Sequence, residues 1–258
     1  MKLALVQMDI VQQQPEKNIA KIEHFIKNAK VDVIVFPEDC LTGSVRSRPD
    51  LIDNNYKYKR FFQHLAKKYR IDIVTGSFTE KHGKKLYNTC YYIDKDGRAI
   101  AKYRKINLWL SEREQVNSGK DVVVFNTNHG KAGLAICWDL VNPLIFRAMA
   151  KKGARIIYCP SFWSSAGISN FEIEKNNINA ICHARALENE LALVYVNAAG
   201  TRAKNDELIG YSQVTVPIKG AIARLNHNKE RMLIADLDLN ILKGANRIYK
   251  IRDDIVKQ

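Results

Sequence analysis

The sequence lacks the features that mark several large classes of protein. It contains no uninterrupted run of about 18 apolar residues, so no membrane-spanning helix is predicted. It has only 6 prolines and 13 glycines, which excludes collagen-like and low-complexity chains. Its 46% hydrophobic and 26% charged residues are typical of a folded protein with a buried core. With no linker and no internal repeat, we expect one domain over residues 1–258.

The sequence has little cysteine, and its cysteines are poorly placed for pairing. There are 5, an odd number, and no two are spaced as C-x-x-C. They are Cys40, Cys90, Cys137, Cys159 and Cys182. This argues against a disulfide framework and for a reducing compartment. The first apolar run is interrupted by polar residues and is read as a strand instead of a signal peptide. A cytoplasmic location is therefore predicted.

Motifs for common cofactors and nucleophiles are also missing. The chain has no GxxxxGK[ST] or GxGxxG loop for phosphates and no GxSxG turn for a catalytic serine. Its 6 histidines form neither an HxH nor an HExxH pair, so a zinc site is not expected. The sequence therefore predicts neither a metal nor an organic cofactor.

Positive charge is in excess. Lysine and arginine total 41 against 27 acidic residues, a net charge of +14, which suits nucleic acid, an anionic membrane or an acidic substrate as partner. The densest basic stretch, residues 57–70, carries Phe61, Phe62 and Leu65 at helical spacing, as on the solvated face of an amphipathic helix. We expect no nucleic-acid or membrane partner. A basic nucleic-acid binder remains the non-enzymatic alternative, and it would bind with a steep dependence on salt.

Apolar periodicity predicts strands alternating with helices, as in sheets covered by helices. The predicted strands are residues 3–8, 31–36, 71–78, 87–94, 98–103, 122–125, 132–136, 155–159, 191–197, 211–216, 221–225 and 231–237. The predicted helices are residues 18–29, 58–69, 143–152 and 171–190.

Three of the predicted strands are followed by a chemically reactive residue: Glu38, Lys105 or Cys137. A rigid strand can hold such a side chain at a cleft. Each residue also has a simpler interpretation. Cys137 can be a small buried hydrophobe, Glu38 a cap or ion-pair partner, and Lys105 a solvated surface charge.

Taken together, these residues resemble the Glu-Lys-Cys triad of the nitrilase, or carbon–nitrogen hydrolase, superfamily. The resemblance runs over nearly the whole chain, in the family's order. It is carried by Phe36-Pro37-Glu38, Leu41-Thr42-Gly43, Leu86-Tyr87-Asn88-Thr89, residues 94–97, Tyr103-Arg104-Lys105, Glu112, Gly119, Cys137-Trp138-Asp139, Arg147, Pro160-Ser161-Phe162-Trp163, residues 185–189, Gly210-Tyr211-Ser212, Pro217 and Asp236-Leu237-Asp238. The chain departs from the family pattern at three positions. Leu144 stands where a glutamate is common, Asn107 where histidine is frequent, and Ser118 where proline is usual.

The resemblance implies a four-layer α-β-β-α sandwich, with two mixed sheets packed face to face and helices outside. It implies a homodimer or a larger homo-oligomer. It also implies a cofactor-free amidohydrolase that cleaves a small linear amide through a cysteine thioester and releases ammonia and a carboxylic acid. An N-carbamoyl hydrolase and a nitrilase of the same superfamily are the nearest alternatives, because all three chemistries use the same triad.

The resemblance and the residue types also suggest individual roles. Glu38 would serve as base, Cys137 as nucleophile, and the Lys105 ammonium would favour the thiolate and, with the backbone N–H of Trp138, bind the oxyanion. Glu112 would hold Lys105 or the leaving nitrogen, or it would be an exposed glutamate paired with Arg113 or Arg104.

Three further residues are predicted to bind substrate. Trp163 would form a pocket wall, or would belong to the core. Arg46 and Arg48, on the loop after Glu38, would attract a substrate carboxylate, although a mobile surface loop is the simpler interpretation of this segment. A papain-like pairing of Cys137 with His183 is the alternative from another class of hydrolase. It predicts that His183→Ala, and not Lys105→Ala, abolishes turnover.

Overall fold

A computed structural model describes residues 1–45, 47–165, 170–203 and 206–257. In these ranges the strands are β1 Lys2–Gln7, β2 Val33–Val35, β3 Asp72–Val74, β4 Phe78–His82, β5 Lys85–Ile93, β6 Ala99–Arg104, β7 Val124–Thr127, β8 Gly130–Leu134, β9 Ile156–Ser161, β10 Ala192–Asn197, β11 Thr201–Ala203, β12 Asp206–Glu207, β13 Gln213–Val216, β14 Gly220–Arg224 and β15 Arg231–Asp236. The α-helices are α1 Pro15–Asn28, α2 Lys57–Tyr69, α3 Pro143–Lys151, α4 Phe171–Asn189, α5 Asn240–Tyr249 and α6 Ile251–Lys257.

Two mixed sheets form the centre of the fold. The first has the order β15-β1-β2-β3-β5-β4, with β6 also paired to β5, and the second has the order β14-β13-β10-β9-β8-β7. The middle strands are parallel in both sheets, β1-β2-β3 in the first and β8-β9-β10 in the second. The remaining pairings are antiparallel, including those of β5 with β3 and with β6. A separate hairpin joins β11 to β12.

The two faces of the first sheet explain its layering. Leu3 and Leu5 of β1 belong to the core shared with the second sheet, whereas Ala4 and Val6 pack with the buried faces of α1 and α2. This alternation is the period of two that a strand buried on both faces requires. Helices α3 and α4 pack together, and α4 covers β10 and β13. The expected four-layer α-β-β-α sandwich is therefore confirmed.

Several element boundaries differ from the prediction for identifiable reasons. Helix α1 begins at Pro15, because proline is favoured at the first helical position, where its missing N–H is not needed. The strand expected over residues 71–78 is two strands, separated at Gly76, which has φ +69°. Helices α5 and α6 and the β11–β12 hairpin were not predicted, although Leu242 and Ala245 of α5 are buried at helical spacing.

The basic stretch around residues 57–70 is the predicted amphipathic helix. In α2 the side chains of Tyr58, Phe62, Leu65 and Ala66 are buried against the first sheet, and the lysines lie on the other side. Among the helices of the described ranges, none is long and apolar enough to cross a membrane.

The topology brings three strand ends to one edge. Because β6 is antiparallel to β5, which is antiparallel to β3, strand β6 runs in the same direction as β2 and β3. A parallel bridge between Asp9, after β1, and Ala199, after β10, shows that the parallel strands of the two sheets also share a direction. The segments that carry Glu38, Lys105 and Cys137 therefore leave β2, β6 and β8 on the same side of the molecule.

Candidate active site

A cavity of about 300 Å³ lies at this edge. Six of the eight residues predicted to form the site line it: Glu38, Lys105, Glu112, Cys137, Trp138 and Trp163. A volume of this size is at the small end of ligand sites in proteins.

Glu38 is fixed by its backbone and by both of its carboxylate oxygens. Its N–H donates to the carbonyl of Ser161 at 3.2 Å, and its Oε2 accepts from the N–H of Phe162 at 2.9 Å. The turn that carries Glu38 fits closely against the break between β3 and β4. A Cβ on Gly76 would lie 2.0 Å from the carbonyl oxygen of Pro37, so only glycine fits there. Glu38 is 3% exposed.

Lys105 is the centre of a buried ion network. Its Nζ lies 2.8 Å from Oε1 of Glu38 and 2.6 Å from Oε2 of Glu112, and the residue is 1% exposed. Burial alone lowers the pKa of Lys105, but the negative charges of Glu38, Cys137 and Glu112 outweigh it and hold that pKa well above its usual range. Lys105 is therefore a permanent ammonium in this cavity.

Glu112 lies in a short 3₁₀ helix, Leu110–Glu114, that follows the loop after β6. Its Oε2 accepts from Nζ of Lys105 and, at 2.8 Å, from the N–H of Trp109. Its Oε1 accepts from Nδ2 of Asn88 at 3.1 Å. Glu112 thus faces Lys105, and not an arginine on the surface.

Cys137 begins the 3₁₀ helix Cys137–Val141, directly after the second sheet, and its backbone has φ +47°. This left-handed conformation costs a non-glycine residue about 1–3 kcal/mol and must be held by its surroundings. Two residues later, the buried Asp139 accepts from the N–H of Ile136 at 2.9 Å, the hydroxyl of Tyr103 at 2.7 Å, and the N–H and Nδ2 of Asn107 at 2.7 and 3.0 Å. Asp139 thereby ties the turn at Cys137 to the segment around Lys105.

The electrostatics of Cys137 refine the expectation from sequence. Burial and the charge of Glu38 raise the pKa of the Cys137 thiol, while Lys105 and the N–H of Phe162 lower it by a smaller amount, so the net direction is well upward. The effect expected of Lys105 is present but is outweighed. Cys137 is therefore a thiol at rest, and it could act as a nucleophile only if a base removed its proton.

Aromatic rings form one wall of the cavity. Trp138 packs between Trp109 and Trp163, with ring centroids 4.2 and 5.2 Å away. The Nε1 of Trp163 donates to Glu174 of α4 at 2.8 Å, which fixes the orientation of that ring. This wall gives the cavity an apolar side.

The arginine positions differ from the expected ones. Arg48 makes a two-pronged ion pair with Asp50 at 2.7 and 2.8 Å and, among the described residues, does not belong to the cavity lining. Arg46 lies outside the described residues. Within the described ranges Arg202 of β11 lines the cavity instead, and no sequence motif singles it out. Leu144 is 73% exposed at the start of α3 and does not line the cavity in the described chain.

Two other residues bear on the site. Asp39, next to Glu38, lines the cavity, and burial together with the charges of Glu38 and Glu112 raises the pKa of its carboxyl group well above the usual range. His183 is exposed on α4 beside Gly220 and, in the described residues, is absent from the lining that contains Cys137. The papain-like pairing of Cys137 with His183 therefore has no geometric support.

The sandwich and its buried thiol, ammonium and carboxylates are those of a carbon–nitrogen hydrolase, and comparisons with known proteins agree. The profile of the family described as carbon-nitrogen hydrolase matches residues 2–247. A protein named hydrolase in agr operon, from Staphylococcus aureus, is 31% identical over 93% of this chain and 92% of its own length. The 2-oxoglutaramate amidase of Bacillus subtilis is 28% identical over 99% of this chain and 97% of its own.

A solved structure agrees with these sequence matches. Saccharomyces cerevisiae Nit3, described as a member of branch 10 of the nitrilase superfamily, superimposes with a TM-score of 0.85 at 25% identity, over 96% of this chain and 94% of that one. This chain belongs to the carbon–nitrogen hydrolase family of the nitrilase superfamily, and it is a hydrolase of carbon–nitrogen bonds other than peptide bonds.

Proposed function

We propose that the protein is an amidase that hydrolyses a small linear amide to ammonia and a carboxylic acid through a thioester on Cys137. One observation carries the proposal. The ion pair of Glu38 and Lys105, 2.8 Å long, lies in the wall of the same small cavity as Cys137. A base, a cation and a sulfur nucleophile are the groups that this acyl transfer needs.

In the first half of the reaction Glu38 takes the proton of Cys137 as the sulfur attacks the carbonyl carbon. The tetrahedral oxyanion is bound by the ammonium of Lys105 and by the backbone N–H of Trp138. That N–H lies in the first turn of a 3₁₀ helix, where backbone N–H groups have no partner within the helix. Loss of one such donor typically costs about 3–4 kcal/mol of barrier.

In the second half the proton moves from Glu38 to the leaving nitrogen, and ammonia departs as the thioester forms. Glu38 then accepts a proton from water as the water oxygen attacks the thioester carbon. The carbon–sulfur bond breaks, the acid leaves, and Glu38 returns the proton to the sulfur of Cys137. Glu112 keeps Lys105 in place through its 2.6 Å contact. The tryptophan wall excludes water from the reacting side of the substrate.

The nearest alternatives use the same groups and differ in substrate. An N-carbamoyl compound would yield carbon dioxide as well as ammonia. A nitrile would yield the same products as an amide, and only the starting compound distinguishes the two. The relative from Bacillus subtilis is named as an amidase, and this favours the amide.

The test is a screen of small amides, N-carbamoyl compounds and nitriles for release of ammonia and carbon dioxide. The wild type is compared with Cys137→Ala and with Cys182→Ala, which removes another buried thiol on α4 outside the cavity. We expect wild type to release ammonia without carbon dioxide from an amide. This release should be lost in Cys137→Ala and retained in Cys182→Ala. Turnover that survives in Cys137→Ala would overturn the thioester route.

The proposal extends to location and assembly. All 5 cysteines lie in the described chain as free, buried thiols, which suits a reducing, cytoplasmic compartment. We expect at least a homodimer. Sedimentation equilibrium of the purified protein over a range of concentrations tests this, and a mass of one chain throughout would contradict it.

A further inference from the structure

A second bridge joins the two carboxylates of the site. Asn88 lies in β5, is 4% exposed and lines the cavity. Its Nδ2 donates to Oε1 of Glu38 at 2.8 Å and to Oε1 of Glu112 at 3.1 Å. Lys105 joins the same two carboxylates from its Nζ. The four side chains therefore form a closed ring, in which each carboxylate is held by one ammonium and one amide.

The amide of Asn88 is committed to this ring. Its Oδ1 is buried and has no hydrogen-bond partner within the described residues. A buried acceptor without a partner is unfavourable, so its presence calls for a compensating role of the same side chain. A reversed amide would direct Oδ1 at two carboxylates, which cannot donate to it when ionised. Both polar contacts of the side chain thus go through Nδ2 to Glu38 and Glu112.

We propose that Asn88 is a positioning residue that holds the carboxylate of Glu38 in its orientation towards Cys137. Asn88 acts through Glu38 and forms no bond with the reacting atoms. Asn88 and Lys105 both donate to Oε1 of Glu38, and two donors on one oxygen restrict rotation of the carboxylate. The inference rests on the proposed role of Glu38 as the base.

The first test uses amide-hydrolysis kinetics of Asn88→Asp, which keeps the shape but removes the donor, and of Asn88→Ala, which adds no charge. Asn246→Asp is the matched control, because its Nδ2 donates to buried Glu190 at 3.0 Å outside the cavity. We expect kcat to fall roughly ten- to a hundredfold in both Asn88 variants, the range of one hydrogen bond to a charged group, with KM changed less than about threefold. Asn246→Asp keeps the wild-type kcat.

The split between kcat and KM separates positioning from a general loss of structure. Loss of the donor misorients the base but leaves the rest of the cavity in place, so kcat per folded molecule falls while KM changes little, with the folded fraction measured by circular dichroism. A kcat that falls only in proportion to the folded fraction would overturn the inference. So would a kcat within threefold of wild type in both Asn88 variants.

The second test does not require hydrolysis and separates this inference from the proposed function. Iodoacetamide, itself a small amide, alkylates Cys137. The reaction forms a bond between Sγ and the methylene carbon, releases iodide, and passes the thiol proton to Glu38. We expect alkylation of Cys137, located by mass spectrometry of peptides, to be about tenfold slower at neutral pH in Asn88→Ala than in wild type and in Asn246→Asp. If wild type hydrolyses no amide but shows this difference, the proposed function fails and the role of Asn88 stands. Equal alkylation rates would refute the role of Asn88.

Discussion

The carboxylate of Asp139 holds the turn at Cys137, and its replacement by an amide is the most informative perturbation outside the cavity. Each carboxylate oxygen of Asp139 accepts two hydrogen bonds. Oδ2 accepts from the hydroxyl of Tyr103 and the N–H of Ile136, and Oδ1 accepts from the N–H and the Nδ2 of Asn107. In Asp139→Asn one oxygen becomes a donor, so two of the four bonds are lost whichever way the amide turns. A hydrogen bond to a charged group contributes about 1.5–3 kcal/mol, which gives about 3–6 kcal/mol for two.

Part of this loss is offset, because burial raises the pKa of Asp139 and the amide removes a buried charge. We therefore expect Asp139→Asn to lower the free energy of unfolding in urea at pH 7 by about 3 kcal/mol, the low end of that range. Tyr103→Phe removes one donor and is expected to cost about 1.5–3 kcal/mol. Since Cys137 depends on this turn for its φ of +47°, kcat should fall at least tenfold in Asp139→Asn.

The control for these variants is Tyr69→Phe, which removes a 3.1 Å hydrogen bond to Glu23 on the surface and should cost less than about 1 kcal/mol. All four proteins are unfolded at one protein concentration, so that any association contributes equally. An Asp139→Asn variant within 1 kcal/mol of wild type, or one less destabilised than Tyr103→Phe, would show that the counted hydrogen bonds do not hold the turn.

Three other outcomes follow from the geometry. Arg202→Ala should lower kcat/KM about tenfold for an amide that carries a carboxylate and leave kcat/KM for a neutral amide of equal length unchanged. Arg48→Ala should change neither value, because Arg48 is paired with Asp50 away from the cavity. Equal effects of Arg202→Ala on both amides would contradict a role of Arg202 in binding the carboxylate. Lys105→Ala should abolish hydrolysis and His183→Ala should not, as ammonia release will show, because only Lys105 shares the cavity with Cys137. Burial raises the pKa of Asp94, but hydrogen bonds from Arg98 and Asp96 outweigh this effect, so the net pKa is lowered. Ionised Asp94 therefore stabilises the fold at pH values above its unfolded pKa. This stabilisation is lost as the pH falls through the folded pKa. Asp94→Asn should therefore be less stable than wild type at pH 7 and equal to it well below pH 4, and urea unfolding with the same difference at both pH values would refute this.

The residues of the proposed triad are recognisable in the sequence because they follow buried strands. Val33–Val35 and the strand before Cys137 are apolar runs whose ends are visible as Pro37-Glu38 and Cys137-Trp138. Lys105 also follows a predicted strand, although a lysine considered alone is expected at the surface because of its charge. The parallel direction of these strands, which brings their ends to one edge, follows from strand pairing and is not written in any one segment.

The polar partners of the triad were not predictable in the same way. Asn88 and Asp139 were part of the family resemblance, but their roles depend on contacts with residues 50 and 36 positions away in the chain. Arg202 lies in a short hairpin strand whose position over the cavity depends on how the second sheet packs. Periodicity reports which face of an element is buried, and it does not report what lies opposite that face.

The backbone of Cys137 has a consequence for inactive variants of this enzyme. Glycine adopts a φ of +47° without the steric cost that a side chain brings, whereas alanine keeps that cost. A glycine at this position would remove the sulfur and relax the turn together, although its greater freedom in the unfolded chain offsets part of the gain. Under the proposed mechanism, thermal stability and turnover therefore place opposite demands on this one residue.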